Sequence, residues 1–498
     1  MIARDVYQKY RLPFLLSFSL CFLMFMPLII NGQYYIDDLG RSIRAEPAWA
    51  RNGRPVADYV TWALNFGGKI QDISPLSQLL GVAILSSFSL LVARKYLGSL
   101  SPLSILVASS SLMSPFLMEN MAFEYDAFPM FLSFIIAAAP FLLIGVKRSS
   151  LFAACCFISV FVSLNLYQAS LCVFFVFAIL NFLNHVRVGR NNIAFRDSLI
   201  ACVAMIFAYA IYSKFVVPHV ISGDYNIAKS QAVPLSDPHQ ALLIIIYNAS
   251  LFRDLILSAI SPAYVIAITP VAVAFIFSLY KLMTNINRNA LWLPSVAIVT
   301  LSPLMLAFFI VGPMLFLGSP LFRPRVMMGF SAFLVAMSVV ASWCIPKRVS
   351  SAKVYLLIPI LYIISMNYTF FNALSNQQDY ERFVISHIVT DAYGSDVQNT
   401  NKIMFNGWIG LSPVVKVAIS KYPSLDILVT RLLHDDNGWG WIQLQHYGMN
   451  KPFPDGASFK KAKSELCSSK FIKESNYYNV YKNGDLVIMD FDKKCHNQ

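Results

Sequence analysis

Apolar stretches of roughly 18 to 22 residues, each long enough for a helix to cross a hydrocarbon core, recur from Arg11 to about Phe371. Almost no charged side chain interrupts them. Within lipid every backbone N–H and C=O must be bonded inside its own segment, so a chain of this kind is driven to bundled helices. Only 13% of the 498 residues are charged, against about a quarter in soluble proteins. The pattern specifies an all-α polytopic membrane bundle followed by a polar tail.

Spans are expected near 12–31, 76–93, 101–118, 127–146, 151–164, 168–184, 198–217, 257–280, 291–311, 326–345 and 354–372, about 11 in all. The uncharged run Leu151–Leu183 is too long for one crossing and is divided at Asn165–Gln168. A further amphipathic stretch, 241–260, reads either as an interfacial helix or as an extra crossing. Lys and Arg gather in alternate short loops: Lys9 and Arg11; Arg94 and Lys95; Arg187, Arg190 and Arg196; Lys281 and Arg288. By the positive-inside rule that side is cytoplasmic, as is the N-terminus. An odd number of spans then puts the tail outside. The formal charge of +13 is therefore largely a topology signal. A clustered basic face for nucleic acid is not evident.

Two domains follow: a membrane domain, 1–374, whose first outer loop is 32–75, and an outward α/β domain, 375–498. In the tail, Ile403–Trp408 and Leu425–Val429 read as strands around an amphipathic helix at Pro413–Lys421. Tyr478–Phe491 reads as a hairpin turning at Asn483-Gly484. Six of the eight cysteines fall in spans as small apolar residues. Cys467 and Cys495 flank the hairpin and are expected to form a disulfide in an oxidising compartment.

Aqueous chemistry has few places to occur in such a chain. Asp37-Asp38, in the first outer loop, are the leading candidates. Sugar transfer to a hydroxyl needs a carboxylate to take the acceptor proton, and a second can shift the pKa of the first or orient the acceptor or a cation. Arg41 and Arg44 lie close enough in sequence to hold a phosphate leaving group. The alternative is structural: an aspartate before LGRSIR suits a helix N-cap, and Asp37–Arg41 is an i,i+4 pair. A second acidic loop, with Glu119, Glu124 and Asp126, belongs to the same face. Also on that face are Arg54, Arg323 and Arg325, set against phosphate or lipid headgroups, and Tyr167-Gln168 as substrate contacts.

Absences narrow the function. The spans hold almost no ionisable group, whereas transporters and pumps need them at membrane depth. The histidines show no metal-ligand spacing. Asp490-Phe491-Asp492 has the spacing of a nucleotide-sugar metal motif, but on the side where nucleotide sugars are not expected. No cofactor is implied, and nothing supports a divalent cation.

The strings YYIDDLGRSIR…NGRPVADYV (Tyr34–Val60), SPFLMENMAFEYDAFPM (Ser114–Met130) and NLYQASL (Asn165–Leu171) resemble the bacterial serotype-converting O-antigen glucosyltransferases of the glucosyltransferase II type. The resemblance covers the membrane domain and thins in the tail. It implies a GT-C-like enzyme of the inner membrane that takes glucose from undecaprenyl-phosphate glucose and places it on lipid-linked O-antigen at the periplasmic side, with inversion. It also implies a flippase and a prenyl-phosphate glucose synthase as co-workers, and matches Asp37 or Asp38 to the family's first-loop carboxylates. A flippase or exporter, or a polymerase, of lipid-linked O-antigen is the alternative.

Overall fold

A computed structural model describes residues 2–143, 148–234, 236–288, 290–435, 438–493 and 495. The end of the expected span 127–146, at 144–146, lies outside the described residues. Among the described residues eight helices are long and apolar enough to cross a membrane, including Gln8–Asn31, Leu76–Leu97, Ser149–Leu166, Gln168–Arg187 and Pro262–Thr284. Three shorter apolar helices, Ala127–Leu142, Trp292–Phe308 and Met328–Trp343, accompany them. The stretch read as interfacial or crossing is a helix, Pro238–Ala259, long enough to span.

The chain divides into two compact units. The first comprises Met1–Gly32 and Glu46–Tyr368. Here the helix Ser149–Leu166 packs against Ala127–Leu142 and Asn191–Ile211, and Met328–Trp343 against Pro262–Thr284 and Leu171–Arg187. Small residues permit this closeness. A Cβ added at Gly329 would run into the carbonyl oxygens of Phe309 and Ile310.

The expected span 257–280 is interrupted at Ile260-Ser261, between the helices Pro238–Ala259 and Pro262–Thr284, and the expected span 101–118 is not a continuous helix. In place of 101–118 the structure has Pro102–Ala108, a 3-10 turn Ser110–Met113 and the short helix Leu117–Ala122. The cause is local. Ser109–Ser111 offer hydroxyls that compete with helical backbone bonds, and Ser114, before Pro115, is extended. Every residue from Ser104 to Ala127 is buried, the condition under which irregular backbone is tolerated at membrane depth. This broken segment delivers the acidic loop.

The second unit comprises Gln33–Ala45 and Thr369–Gln498. It differs from the expected boundary at 374/375 in one important respect: part of the first outer loop, carrying Asp37 and Asp38, folds with the tail. The reason is apolar packing. Leu39 forms a cluster with Leu432 and Ile442.

A four-stranded sheet in the order β1-β4-β3-β2 centres this unit, with β1 Lys402–Asn406, β2 Lys470–Glu474, β3 Asn479–Asn483 and β4 Leu486–Asp490. β1 runs parallel to β4, and the other pairs are antiparallel. The expected hairpin is β3–β4, with Gly484 at φ 56 in its turn. All of β4 is buried, because both sheet faces are covered. Val384, Ile385, Ile388 and Ala392 of the helix Leu357–Ala392 pack with Val487 and Met489, while Leu486 and Ile488 meet Ala462 and Leu466.

Leu425–Leu428, expected as a strand, is a helical turn that buries Leu425 and Leu428. Their three-residue spacing suits a helix face rather than strand alternation. Cys467 and Cys495 are joined by a disulfide.

Candidate functional site

Candidate chemistry occupies one place in each unit. In the second unit, Asp37 and Asp38 form the first turn of the helix Asp37–Arg44. Negative charge there is favoured by the helix dipole. The N-cap is Ile36, at φ 47, and no side chain caps it. Neither aspartate is the N-cap, since both lie inside the helix, while the i,i+4 pairing of Asp37 survives as a marginal contact, 4.0 Å from Arg41 Nη1.

The two carboxylates differ in what they face. Asp38 is fully buried, accepts a hydrogen bond from the Tyr35 amide at 3.3 Å and lies 3.9 Å from Arg41. The Asp37 side chain keeps 34% of its surface open. Arg44 is exposed and Arg41 largely covered. Asp37 is thus the reachable carboxylate, held beside a cation and backed by a buried neighbour.

In the first unit the acidic loop and the arginines converge. Arg54 donates from Nη1 and Nη2 to the two oxygens of Asp126 at 2.9 and 2.5 Å, and from Nε to the Leu166 carbonyl at 2.7 Å. Its guanidinium also covers the Tyr167 ring at 4.8 Å. Such a two-pronged pair, nearly closed to solvent, fixes orientation as well as charge. Glu119, fully buried, accepts from the Arg325 amide at 2.8 Å and pairs with Arg323 Nε at 3.4 Å. Tyr167 Oη and Asn120 Nδ2 donate to the Arg325 carbonyl at 3.1 and 3.0 Å. The Arg325 guanidinium stands over Phe123. Glu124 is buried beside Gly32, whose added Cβ would lie 3.4 Å from Glu124 Oε1.

The sequence NGRP makes this arrangement possible. Gly53 adopts φ 77, and a Cβ there would meet the Tyr212 hydroxyl at 2.6 Å. Pro55 opens the next helix, Pro55–Leu64, so Arg54 is fixed at its threshold. Gln168 Nε2 donates to the Asn52 carbonyl and to Tyr212 Oη, each at 2.9 Å. Tyr212, Asn120 and Phe123 were not singled out in the sequence. Asn120 and Phe123 stand within the acidic string, but Tyr212 sits in an apolar span that gives no hint of the loop it supports.

The fold and these clusters define a multi-pass membrane protein with carboxylates and arginines gathered at a few polar positions. The chain belongs to the glucosyl transferase GtrII family, whose model matches residues 26–336, more than half of its length, and it is therefore a glycosyltransferase. It is 26% identical, over 486 residues, to an uncharacterized 55.3 kDa protein in the gtrB 5′ region of Salmonella phage P22, covering 94% of this chain and 95% of the phage protein. No solved structure matches. The family match includes both clusters and ends before the sheet of the second unit.

Proposed function

We propose that the protein transfers glucose from undecaprenyl-phosphate glucose to a sugar of lipid-linked O-antigen at the periplasmic face of the inner membrane, modifying serotype. The observation that carries this reading is the reachable Asp37 carboxylate, paired with a buried Asp38, in a chain of the glucosyl transferase GtrII family. Asp37 takes the acceptor hydroxyl proton as the oxygen attacks the anomeric carbon. The carbon–oxygen bond to phosphate breaks, its electron pair leaves with the phosphate, and attack from the opposite side inverts configuration.

Charge on the departing phosphate calls for cations aimed at it. Arg41 and Arg44, on the same helix as Asp37, are the candidates. Arg54 is assigned a different task, because its donors are engaged by Asp126 and the Leu166 carbonyl. In the same way Glu119 and Asp126 are assigned to holding arginines, and Asp37 to the proton. A cytoplasmic N-terminus, supported by the Lys and Arg distribution, puts the Asp37 helix outside. The disulfide between Cys467 and Cys495 supports an oxidising surrounding for the second unit. A prenyl-phosphate glucose synthase and a flippase supply the donor on that face.

The test is transfer of labelled glucose from polyprenyl-phosphate glucose to lipid-linked O-antigen by the purified enzyme in liposomes. Asp37→Asn is expected to insert normally and lose about 10²–10⁴-fold in kcat, the usual worth of a positioned base. Full activity in both Asp37→Asn and Asp38→Asn would remove this site from the reaction.

A further inference from the structure

The helix Asp37–Arg44 has 8 residues, too few to hold a helical form by its own hydrogen bonds. It is also bounded by left-handed residues other than glycine, Ile36 at φ 47 and Ala45 at φ 55, conformations that persist only where surrounding structure imposes them. The imposing structure is the C-terminal part of the chain. Leu39 is buried with Leu432 and Ile442, and Trp439 and Trp441 pack on this cluster.

A Cβ added at Gly40 would lie 3.6 Å from Trp439 Cζ3, so the indole rests on the helix backbone. His446 Nε2 is 3.3 Å from both Ser42 Oγ and the Leu39 carbonyl oxygen. Before the helix, Tyr35 Oη donates to the Leu428 carbonyl at 2.8 Å and Gln378 Nε2 to the Tyr34 carbonyl at 2.9 Å. Asp37 and Asp38 thus owe their place to residues some 340 to 410 positions away in the chain, as the separations of these bonds record.

From this packing we infer that Trp439 and His446 are positioning residues for the carboxylate pair: the C-terminal unit shapes the first-loop helix and aims Asp37. The inference rests on the role proposed above for Asp37. Its physical content is orientation, where a small misplacement of a reacting group is enough to cost rate without changing how substrates bind. Substitutions here therefore act on kcat.

The experiment uses the full-length enzyme in liposomes, with polyprenyl-phosphate glucose and lipid-linked O-antigen, and Asp37→Asn as reference. Trp439→Ala is expected to lower kcat about tenfold or more with KM for both substrates nearly unchanged, and Trp439→Phe to restore most of it, the signature of a lost transition-state interaction. Amide hydrogen exchange across residues 37–44 is expected to accelerate in Trp439→Ala while the sheet strands keep their protection. His446→Gln, which changes one polar group, carries the test should Trp439→Ala fail to fold. Its expected effect is a smaller fall in kcat with the same sparing of KM.

Unchanged kcat in these variants beside an inactive Asp37→Asn overturns the positioning role and leaves the transferase reading intact. A rise in KM alone also overturns it, since that marks substrate contact. An active Asp37→Asn overturns the reading beneath both.

Discussion

Adjacent carboxylates in one outer loop look interchangeable in a sequence, and the fold separates them. Asp38 is fully buried and bonded to the Tyr35 amide, while Asp37 remains partly open. Neither fact was legible from the residues, because it depends on Leu39 packing against Leu432 and Ile442 far along the chain. The acidic string Glu119–Asp126 was legible as unusual, and its gathering with Arg323 and Arg325 was foreseen as a shared face. Its engagement by Arg54 was not, since spacing cannot tell a free carboxylate from one already paired. Asp126→Ala leaves the Arg54 guanidinium buried without its bidentate partner, a change that costs about 3–5 kcal/mol. Thermal unfolding in detergent should show that loss, with a smaller one for the double replacement Arg54→Met, Asp126→Leu.

Among elements, strong periodic signals were read correctly and sites of competition were not. The helix Pro413–Lys421 announces itself through its amphipathic spacing and the β3–β4 hairpin through the Asn483-Gly484 turn. β2, Lys470–Glu474, was missed because an exposed edge strand carries charges instead of alternating apolar residues. The span 101–118 was misread as continuous because hydropathy alone is blind to serine and proline interrupting a buried helix.

β4 also carries a pH-sensitive group. Asp490 accepts from Asn406 Nδ2 at 2.7 Å, and burial pushes its carboxyl above the usual range. A raised folded pKa means the folded state holds the proton more tightly. The resulting stabilisation is complete below the ordinary carboxylate range and fades as pH climbs through the raised folded value. Chemical denaturation followed across that window should show stability falling with rising pH in the parent. Asp490→Asn, whose amide cannot ionise, should lessen the dependence, the remainder belonging to Glu381, whose carboxyl burial pushes up to about 7.

At the scale of the molecule, composition settled the class and left the partition open. Mostly apolar helices follow from hydropathy; among the described residues eight are long and apolar enough to span, against about 11 expected. The assignment of Gln33–Ala45 to the C-terminal unit does not, because it arises from contacts between segments distant in sequence. The disulfide Cys467–Cys495 closes a separation of 28 residues in that unit, and a bridge of this size contributes about 2–4 kcal/mol by restricting the unfolded chain. Reduction, or Cys467→Ser, is expected to make the tail more susceptible to limited proteolysis by a corresponding factor.

In the proposed function the chain adds a hexose to O-antigen through Asp37. Mass analysis of lipopolysaccharide from cells supplied with the donor-making machinery tests it most directly, comparing the parent with Asp37→Asn at equal membrane abundance. One added hexose per modified repeat is expected with the parent and none with the variant, chain length being the same in both. Equal hexose addition by the two, or a change in chain length without any added hexose, would contradict it.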